Sequence, residues 1–137
     1  MRNGPMFPAR WAAMLALAAL SVPAHAHHNY ALYDRCKSVS LEGEIASIAW
    51  TNPHVLIDLK TGDAGTFRIE WGALLQLAQR NVSTDALKVG DHVVIVGSVM
   101  RDPERKVMSL VSEIRRPSDG WSFAQPRPVS PSCAPPQ

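Results

Sequence analysis

A stretch of alternating residues that changes phase halfway is the feature that most restricts the fold. Its first four apolar or small positions share one face of a strand: Val39, Leu41, Gly43 and Ile45. The next apolar positions, Ile48 and Trp50, have the opposite parity. Because successive side chains of a strand point to opposite faces, a change of parity requires a bulge or a sharp bend. Gly43 and Ala46 are small enough to allow one, so we predict a long, bent first strand.

The pattern after this strand predicts four more strands and one helix. The predicted elements are, in order, a strand at His54–Lys60, a strand at Thr66–Trp71, a short helix at Ala73–Arg80, and strands at His92–Met100 and Val107–Arg115. This order predicts an all-β fold for residues 38–116, a small five-stranded Greek-key barrel of the OB type with one short helix between strands 3 and 4. A small β-sandwich is the main alternative, and the helix argues against it.

The first residues have the pattern of a secretory signal peptide. Arg2 and Arg10 precede Trp11–Val22, a run of 12 residues without charge, and alanines occupy the first and third positions before a cut after Ala26. The run is too short to span a bilayer. We therefore expect residues 1–26 to be removed and the mature chain to be periplasmic or secreted, without a membrane span. An uncleaved anchor is the alternative.

Cleavage changes the composition on which function is judged. Of the 137 residues 111 remain, and because two arginines leave with the leader, the 14 basic residues become 12, equal to the 12 acidic ones. A neutral chain of this size does not favour nucleic-acid binding. The aromatic residues Phe67 and Trp71 have inward parity, which leaves little of the stacking surface that such binding uses. We expect no nucleic-acid partner.

The two ends of the mature chain are predicted to lie outside the barrel. Residues 27–37 have no period and are expected to form an extended lead-in, and residues 117–137 contain six prolines and are expected to form an extended tail rather than another strand. Cys36 and Cys133, the only cysteines, lie one in each segment. In an oxidising compartment such a pair favours a disulfide, unless the tail is too mobile to hold Cys133 in place.

Processing would also create a candidate metal site. A cut after Ala26 makes His27 the N-terminus, where the α-amine and the imidazole of one residue can chelate an ion together. A second imidazole, from His28 or His54, would complete a three-nitrogen histidine brace, which suits Cu(II) because that ion prefers tetragonal nitrogen ligands. A cut one or two residues earlier would place a histidine third from the amine, which is also a copper-binding arrangement. A merely polar N-terminus without a metal role is the alternative.

His54 belongs to the most specific motif, Trp50-Thr51-Asn52-Pro53-His54. Pro53 restricts Asn52 to extended conformations, the asparagine can bond to the backbone of the turn, and Trp50 can supply an apolar wall. His54 is thus either a metal ligand or a half-exposed residue at a hairpin corner. His92 begins a strand and is expected on its solvent face.

The remaining charged residues give no catalytic pattern. One set alternates with apolar positions as on solvated strand faces: Asp34, Glu42, Glu44, Asp58 and Glu70. Another set gives the last hairpin a basic edge: Arg101, Arg105, Lys106, Arg115 and Arg116. Such an edge either binds an acidic partner or only keeps the strand edge soluble. The sequence has neither a nucleophile-elbow motif nor a glycine-rich phosphate loop. These patterns predict no catalytic residue.

Several motifs together resemble a known family. They are His27-His28-Asn29-Tyr30, Val39–Ile45, the Trp50–His54 motif, and Leu87–Asp91 followed by a Val-x-Val-x-Gly strand. This combination resembles a family of small uncharacterised bacterial periplasmic proteins, known only as a domain of unknown function. The resemblance implies export and a small β-barrel, and it implies no activity.

The leading interpretation is a non-enzymatic exported binding domain, with copper as the candidate ion and His27, His28 and His54 as the candidate ligands. Its partner would be a periplasmic protein or a small ligand. Two alternatives stay open. One is a metal-free accessory module that uses the proline-rich tail and the barrel edge, and the other is a small metal-dependent oxidoreductase.

Overall fold

The computed structural model of the 137-residue chain describes residues 30–126 and Cys133. The strands are β1 (Val39–Ala49), β2 (Leu56–Lys60), β3 (Thr66–Glu70), β4 (His92–Val99), β5 (Val107–Arg116) and β6 (Trp121–Ala124). One α-helix, α1 (Leu74–Ala78), lies between β3 and β4, and short 3-10 turns occupy Tyr30–Leu32 and Gly62–Ala64. The predicted leader and His27 and His28 lie outside the described residues.

Five of the strands close into a barrel. β1 pairs antiparallel with β4 along its first half and with β2 along its second half. β2 pairs with β3, and β4 pairs with β5, both antiparallel. A short parallel pairing of Arg68 with Val107 and of Ile69 with Met108 joins β3 to β5 and completes the circle. The predicted small all-β barrel with five strands and an intervening helix is confirmed.

The predicted irregularity of β1 lies where its pairing passes from one partner strand to the other. The register with β2 shifts between Ile45 and Ser47, which leaves Ala46 as the extra residue. Just before it, a β-carbon on Gly43 would come within 1.9 Å of the Lys60 carbonyl oxygen. Gly43 therefore lets the two strands approach at the bend, and Ala46 takes up the change of phase.

The inward faces of the strands form one core. Isoleucines from each of the five barrel strands are fully buried at its centre: Ile45, Ile57, Ile69, Ile95 and Ile114. Leu77 of α1 and Leu87 of the following loop belong to the same buried cluster, as do Trp71 and Phe123. The helix and the loop thus add apolar side chains to the barrel interior.

Beyond the barrel, the structure corrects the expectation that no strand follows Pro117. β6 pairs antiparallel with the end of β5, from Arg116 with Trp121 to Glu113 with Ala124. Its buried Phe123 joins the core, and Gly120, at φ 76°, turns the chain into it. The strand forms because none of the prolines falls between residues 118 and 125, so its backbone donors remain available.

The lead-in is a 3-10 turn followed by a single β-bridge between Tyr33 and Met100, rather than extended throughout. Two hydrogen bonds from Arg101 fix the lead-in. Its backbone N–H donates to the Leu32 carbonyl at 2.9 Å, and its Nε donates to the Ala31 carbonyl at 3.2 Å. The predicted disulfide between Cys36 and Cys133 is confirmed, with the two Cα atoms 5.2 Å apart. No helix in the described part of the chain is long and apolar enough to cross a membrane.

Candidate functional site

The outer edge of β5 is shared by two strands that do not meet. β4 occupies the other edge of β5. On the outer edge, β3 pairs with Val107 and Met108, while β6 pairs with residues 113–116. The intervening stretch includes Leu110, whose φ of 52° lies in the left-handed region that leucine rarely adopts. The barrel wall is therefore irregular at this point.

A cavity of about 110 Å³ occupies this interruption, and we call it the gap site. Its lining comes from the lead-in, the turn before β2, the end of β3, α1, β5 and the segment after β6. The lining residues are Tyr30, His54, Glu70, Trp71, Gly72, Gln76, Ser109, Leu110, Val111 and Gln125. An imidazole, a carboxylate, a phenol, a hydroxyl and two amides thus surround one small space, which has room for a metal ion and several waters.

His54 is held in a defined tautomer. Its Nδ1 lies 2.9 Å from the carbonyl oxygen of Trp71. Because a carbonyl oxygen only accepts, Nδ1 carries the proton, and in the neutral ring Nε2 then carries the lone pair. A backbone carbonyl on one ring nitrogen is the usual way in which proteins orient a histidine whose other nitrogen binds a metal. The ring is half-buried.

The rest of the Trp50–His54 motif fixes this histidine. The Thr51 hydroxyl donates to the carbonyl of His54 at 3.1 Å. Asn52, which precedes a cis proline, accepts a hydrogen bond from the backbone N–H of Leu74 at 3.2 Å and so ties the turn to the start of α1. The Trp50 ring packs on Trp71 with centroids 6.0 Å apart. Thr51 and Asn52 use side-chain oxygens for these bonds, and Trp50 supplies apolar contact.

Glu70 was expected on a solvated strand face, but it is half-buried in the gap site. Its Oε2 accepts a hydrogen bond of 3.0 Å from the hydroxyl of Tyr33, which is 6% exposed. Burial, and then the charge of Glu70, raise the pKa of the Tyr33 phenol well above its ordinary value of 10.0. Tyr33 therefore remains a donor at physiological pH and fixes one oxygen of the carboxylate.

Trp71 contributes a polar atom that the described residues do not satisfy. The side chain is 2% exposed and stacks edge-on with Phe123 at 5.1 Å. Its indole Nε1–H is buried and has no acceptor in residues 30–126 or at Cys133. Leaving a buried donor unpaired costs about 1–3 kcal/mol, so such a group in a native fold calls for an explanation.

A wider groove of about 590 Å³ continues from the gap site. The two share Gly72, Gln76, Leu110 and Gln125, and the groove extends along α1 to Arg80. Its volume is within the range of about 300–1,000 Å³ that small-molecule sites occupy. The small polar cavity thus opens onto a space large enough for an organic ligand.

Of the predicted ligands, His54 lies in the gap site, and His27 and His28 fall outside the described residues. No three side chains of His, Cys, Asp or Glu within the described ranges form a metal cluster. His92 is on the solvent face, as expected, and pairs with Glu42 at 2.9 Å, in a contact separate from the gap site. The sequence patterns did not single out Glu70 or Tyr33 as a pair, because their contact joins positions 37 residues apart.

The predicted basic edge of the last hairpin is only partly present. Arg115 pairs with Glu113, and Arg116 turns inward to Asp91, with 15% of its side chain exposed. The Lys106 ammonium donates to the Ala64 carbonyl at 2.6 Å. The edge therefore offers an acidic partner fewer uncompensated charges than the sequence suggests.

The fold and the site define a small closed β-barrel with a polar cavity in an interrupted strand edge. Residues 14–109 match the model of a family of unknown function, DUF6152, and the chain belongs to this family. This agrees with the resemblance to an uncharacterised family that the sequence motifs indicate. Comparison with curated proteins gives no match.

Proposed function

We propose that the mature chain is an exported, periplasmic copper-binding domain. In this proposal the leader is cleaved after Ala26, and the α-amine and imidazole of His27 bind one Cu(II) ion together with Nε2 of His54. Three nitrogen ligands of this kind suit the tetragonal preference of Cu(II). His28, the next residue, is the alternative source of the second imidazole.

The observation that carries the proposal is that Tyr30 and His54 line the same cavity. His27 is three residues before Tyr30, and three residues reach at most about 10–11 Å when extended. Tyr30 immediately precedes Ala31 and Leu32, whose carbonyl oxygens accept hydrogen bonds from Arg101. A cleaved chain that begins three residues before this cavity-lining position supports the proposal that His27 reaches the His54 ring.

The tautomer of His54 supports the same function. Its Nδ1–H is already used by the Trp71 carbonyl, so Nε2 is the nitrogen that can donate a lone pair to an ion. The motif around it fixes the turn through Thr51 and Asn52. A ligand positioned in this way loses little conformational freedom when it binds the metal.

Titration of the processed protein with Cu(II), in competition with a chelator of known affinity, tests the proposal. The protein is exported with its own leader, and mass spectrometry verifies that it starts at His27. We expect tight binding that His54→Ala weakens about a hundredfold, which corresponds to about 2.8 kcal/mol. One alanine added ahead of His27 should also weaken binding, because it separates the amine from the imidazole.

His92→Ala is the matched control, since His92 also begins a strand but is exposed and bonded to Glu42. It should leave the copper affinity unchanged. Micromolar or weaker binding by the wild type, unaffected by His54→Ala, would rule out the copper function.

The groove beside α1 favours a second candidate function, a metal-free module that binds a small ligand or a partner. In that case the groove of about 590 Å³, and not the gap site, would be the binding surface. Gln79→Trp, at an exposed position in the groove wall, should then abolish partner capture while copper titration shows no specific site.

A further inference from the structure

We infer that the groove beside α1 binds a short peptide with free termini, with the peptide carboxylate at Arg80 and the peptide ammonium at Glu70. This inference rests on the second candidate function, a module that binds a small ligand, and goes beyond it by naming the class of ligand and its direction. It concerns the groove of about 590 Å³ together with the gap site, since the two spaces share part of their lining.

Two glutamine side chains line both spaces, and the fold determines which half of each amide is already used. Oε1 of Gln76 accepts a hydrogen bond from the backbone N–H of Ala73 at 3.2 Å. Nε2 of Gln125 donates to the carbonyl of Val111 at 2.5 Å. Because a side-chain amide has one acceptor oxygen and one NH₂ group, Gln76 retains its two N–H donors and Gln125 retains its acceptor oxygen.

This pair of amides is complementary to a peptide group. A peptide group carries one acceptor, its carbonyl oxygen, and one donor, its N–H. The carbonyl oxygen can accept from Nε2 of Gln76, and the N–H can donate to Oε1 of Gln125. Since backbone groups already hold both glutamines, ordering them on binding costs less side-chain entropy. The shared wall therefore favours a ligand that contains amide groups.

The groove also offers apolar surface and a single charge. Leu77, Leu110 and Pro126 belong to its lining and can pack against an aliphatic side chain of a peptide. Arg80 is the only charged residue in the described lining of the groove, and its side chain is exposed. A guanidinium group binds a carboxylate through two parallel hydrogen bonds. We therefore expect the C-terminal carboxylate of the peptide to bind at this end.

The gap site carries the opposite charge. Glu70 is half-buried and is the only carboxylate in its described lining. The Tyr33 hydroxyl donates to Oε2 of Glu70 at 3.0 Å, which leaves Oε1 as an acceptor for a ligand. An ammonium group would offset the cost of burying this carboxylate, whereas a second carboxylate would be repelled. The two charges thus set the direction of the peptide, and they favour a free peptide over an internal segment of a protein.

Isothermal titration calorimetry of the processed protein with the tripeptide Ala-Leu-Ala tests the inference, with EDTA present to exclude metal ions. We expect saturable binding that is weakened about tenfold by N-acetylation of the peptide, and by C-amidation to the same extent, because each change removes a hydrogen bond between charged groups. Arg80→Gln should cause a similar loss and abolish the difference between the free acid and the amide. Glu70→Gln should abolish the difference between the free amine and its N-acetyl form.

Two further variants separate the groove from the general charge of the protein. Arg105→Gln removes an exposed arginine that lines neither space, and it should bind all three peptides as the wild type does. Gln76→Glu retains the oxygen that Ala73 uses but removes the N–H donors, so it should weaken binding of all three peptides. If Glu70→Gln does not fold, the N-acetyl peptide tests the same contact on the wild-type protein.

Equal affinity of the wild type for all three peptides would overturn the direction and the class of ligand. Binding that Arg80→Gln leaves unchanged would overturn the position in the groove. The absence of saturable Ala-Leu-Ala binding up to about 1 mM would overturn the inference as a whole. The second candidate function would still stand in that case if Gln79→Trp abolished partner capture.

Discussion

Two polar clusters along β5, one at its C-terminal end and one at the gap site, differ in how completely their hydrogen-bonding groups are paired. At the C-terminal end, Nη1 of Arg116 donates to Asp91 at 2.6 Å and to the Ala86 carbonyl at 2.8 Å. Its Nε and Nη2 donate to Asp119, and its guanidinium carbon lies 5.6 Å from the Trp121 ring centroid. Each of the three guanidinium nitrogens has a partner within the fold.

At the gap site the pairing is incomplete. The Trp71 indole N–H has no acceptor in the described ranges, and within those ranges the Glu70 carboxylate accepts from a single side-chain donor, Tyr33. Native proteins pair nearly all buried polar groups, and each exception needs an explanation. The comparison indicates that the Arg116 cluster stabilises the barrel, while the gap site retains a buried donor that no described residue satisfies.

Of the substitutions predicted here to lower stability, Arg116→Met should have the largest effect, and it should change stability only. It would leave the Asp91 carboxylate, whose side chain is 10% exposed, without its cation. Breaking such a pair from one side costs about 3 kcal/mol, which urea denaturation would measure as a lower free energy of unfolding. Copper affinity should not change, because Leu110 at the gap site lies six residues away along β5, about 20 Å.

The neighbouring Arg115→Met is the control. Arg115 and Glu113 form an exposed pair, and such pairs contribute about 0–1 kcal/mol. A large loss of copper affinity in Arg116→Met, measured in protein that is still folded, would show that the two clusters are coupled and would contradict the comparison.

Tyr33→Phe should have a smaller effect on stability. It removes the phenol donor from the Glu70 carboxylate, and a hydrogen bond to a charged group contributes about 1.5 kcal/mol. Urea denaturation would measure the change as a lower free energy of unfolding. A variant as stable as the wild type would mean that this hydrogen bond adds nothing to the stability of the fold.

Sequence reasoning predicted the features that local pattern determines. The bend of β1 could be predicted because the parity change between Ile45 and Ile48 lies within one strand, and the helix before β4 because its leucines recur at helical spacing. The disulfide could be predicted from the compartment, since only Cys36 and Cys133 were available to pair. In each case the signal was a short pattern or a count of one residue type.

The features that were missed depend on contacts between distant segments. Glu70 alternates with apolar neighbours as an exposed residue would, and its burial follows from a lead-in that crosses the end of β3 and brings Tyr33 to it. β6 was hidden because its four residues lie between Pro117 and the prolines that begin at Pro126, and only the pairing of Phe123 with Ile114 shows it to be a strand. The sequence identified the motif that contains His54, but only the tertiary structure shows the cavity that this residue lines.

The smallest predicted effect concerns pH and again separates the two clusters. Hydrogen bonds from Arg116, and then from the Trp121 backbone N–H, hold the pKa of Asp119 below its ordinary value of 3.8. A carboxyl with a depressed folded-state pKa stabilises the fold above its unfolded-state pKa, and the contribution is lost as the pH falls through the folded-state value. Asp119→Asn should therefore lower the melting temperature slightly at pH 7, and the difference from wild type should disappear in strong acid. Because Asp119 is half-exposed, 0.5 M salt should also shrink the difference at pH 7. A difference that persists below the folded-state pKa would mean that Asp119 acts through its shape in the turn and not through its charge.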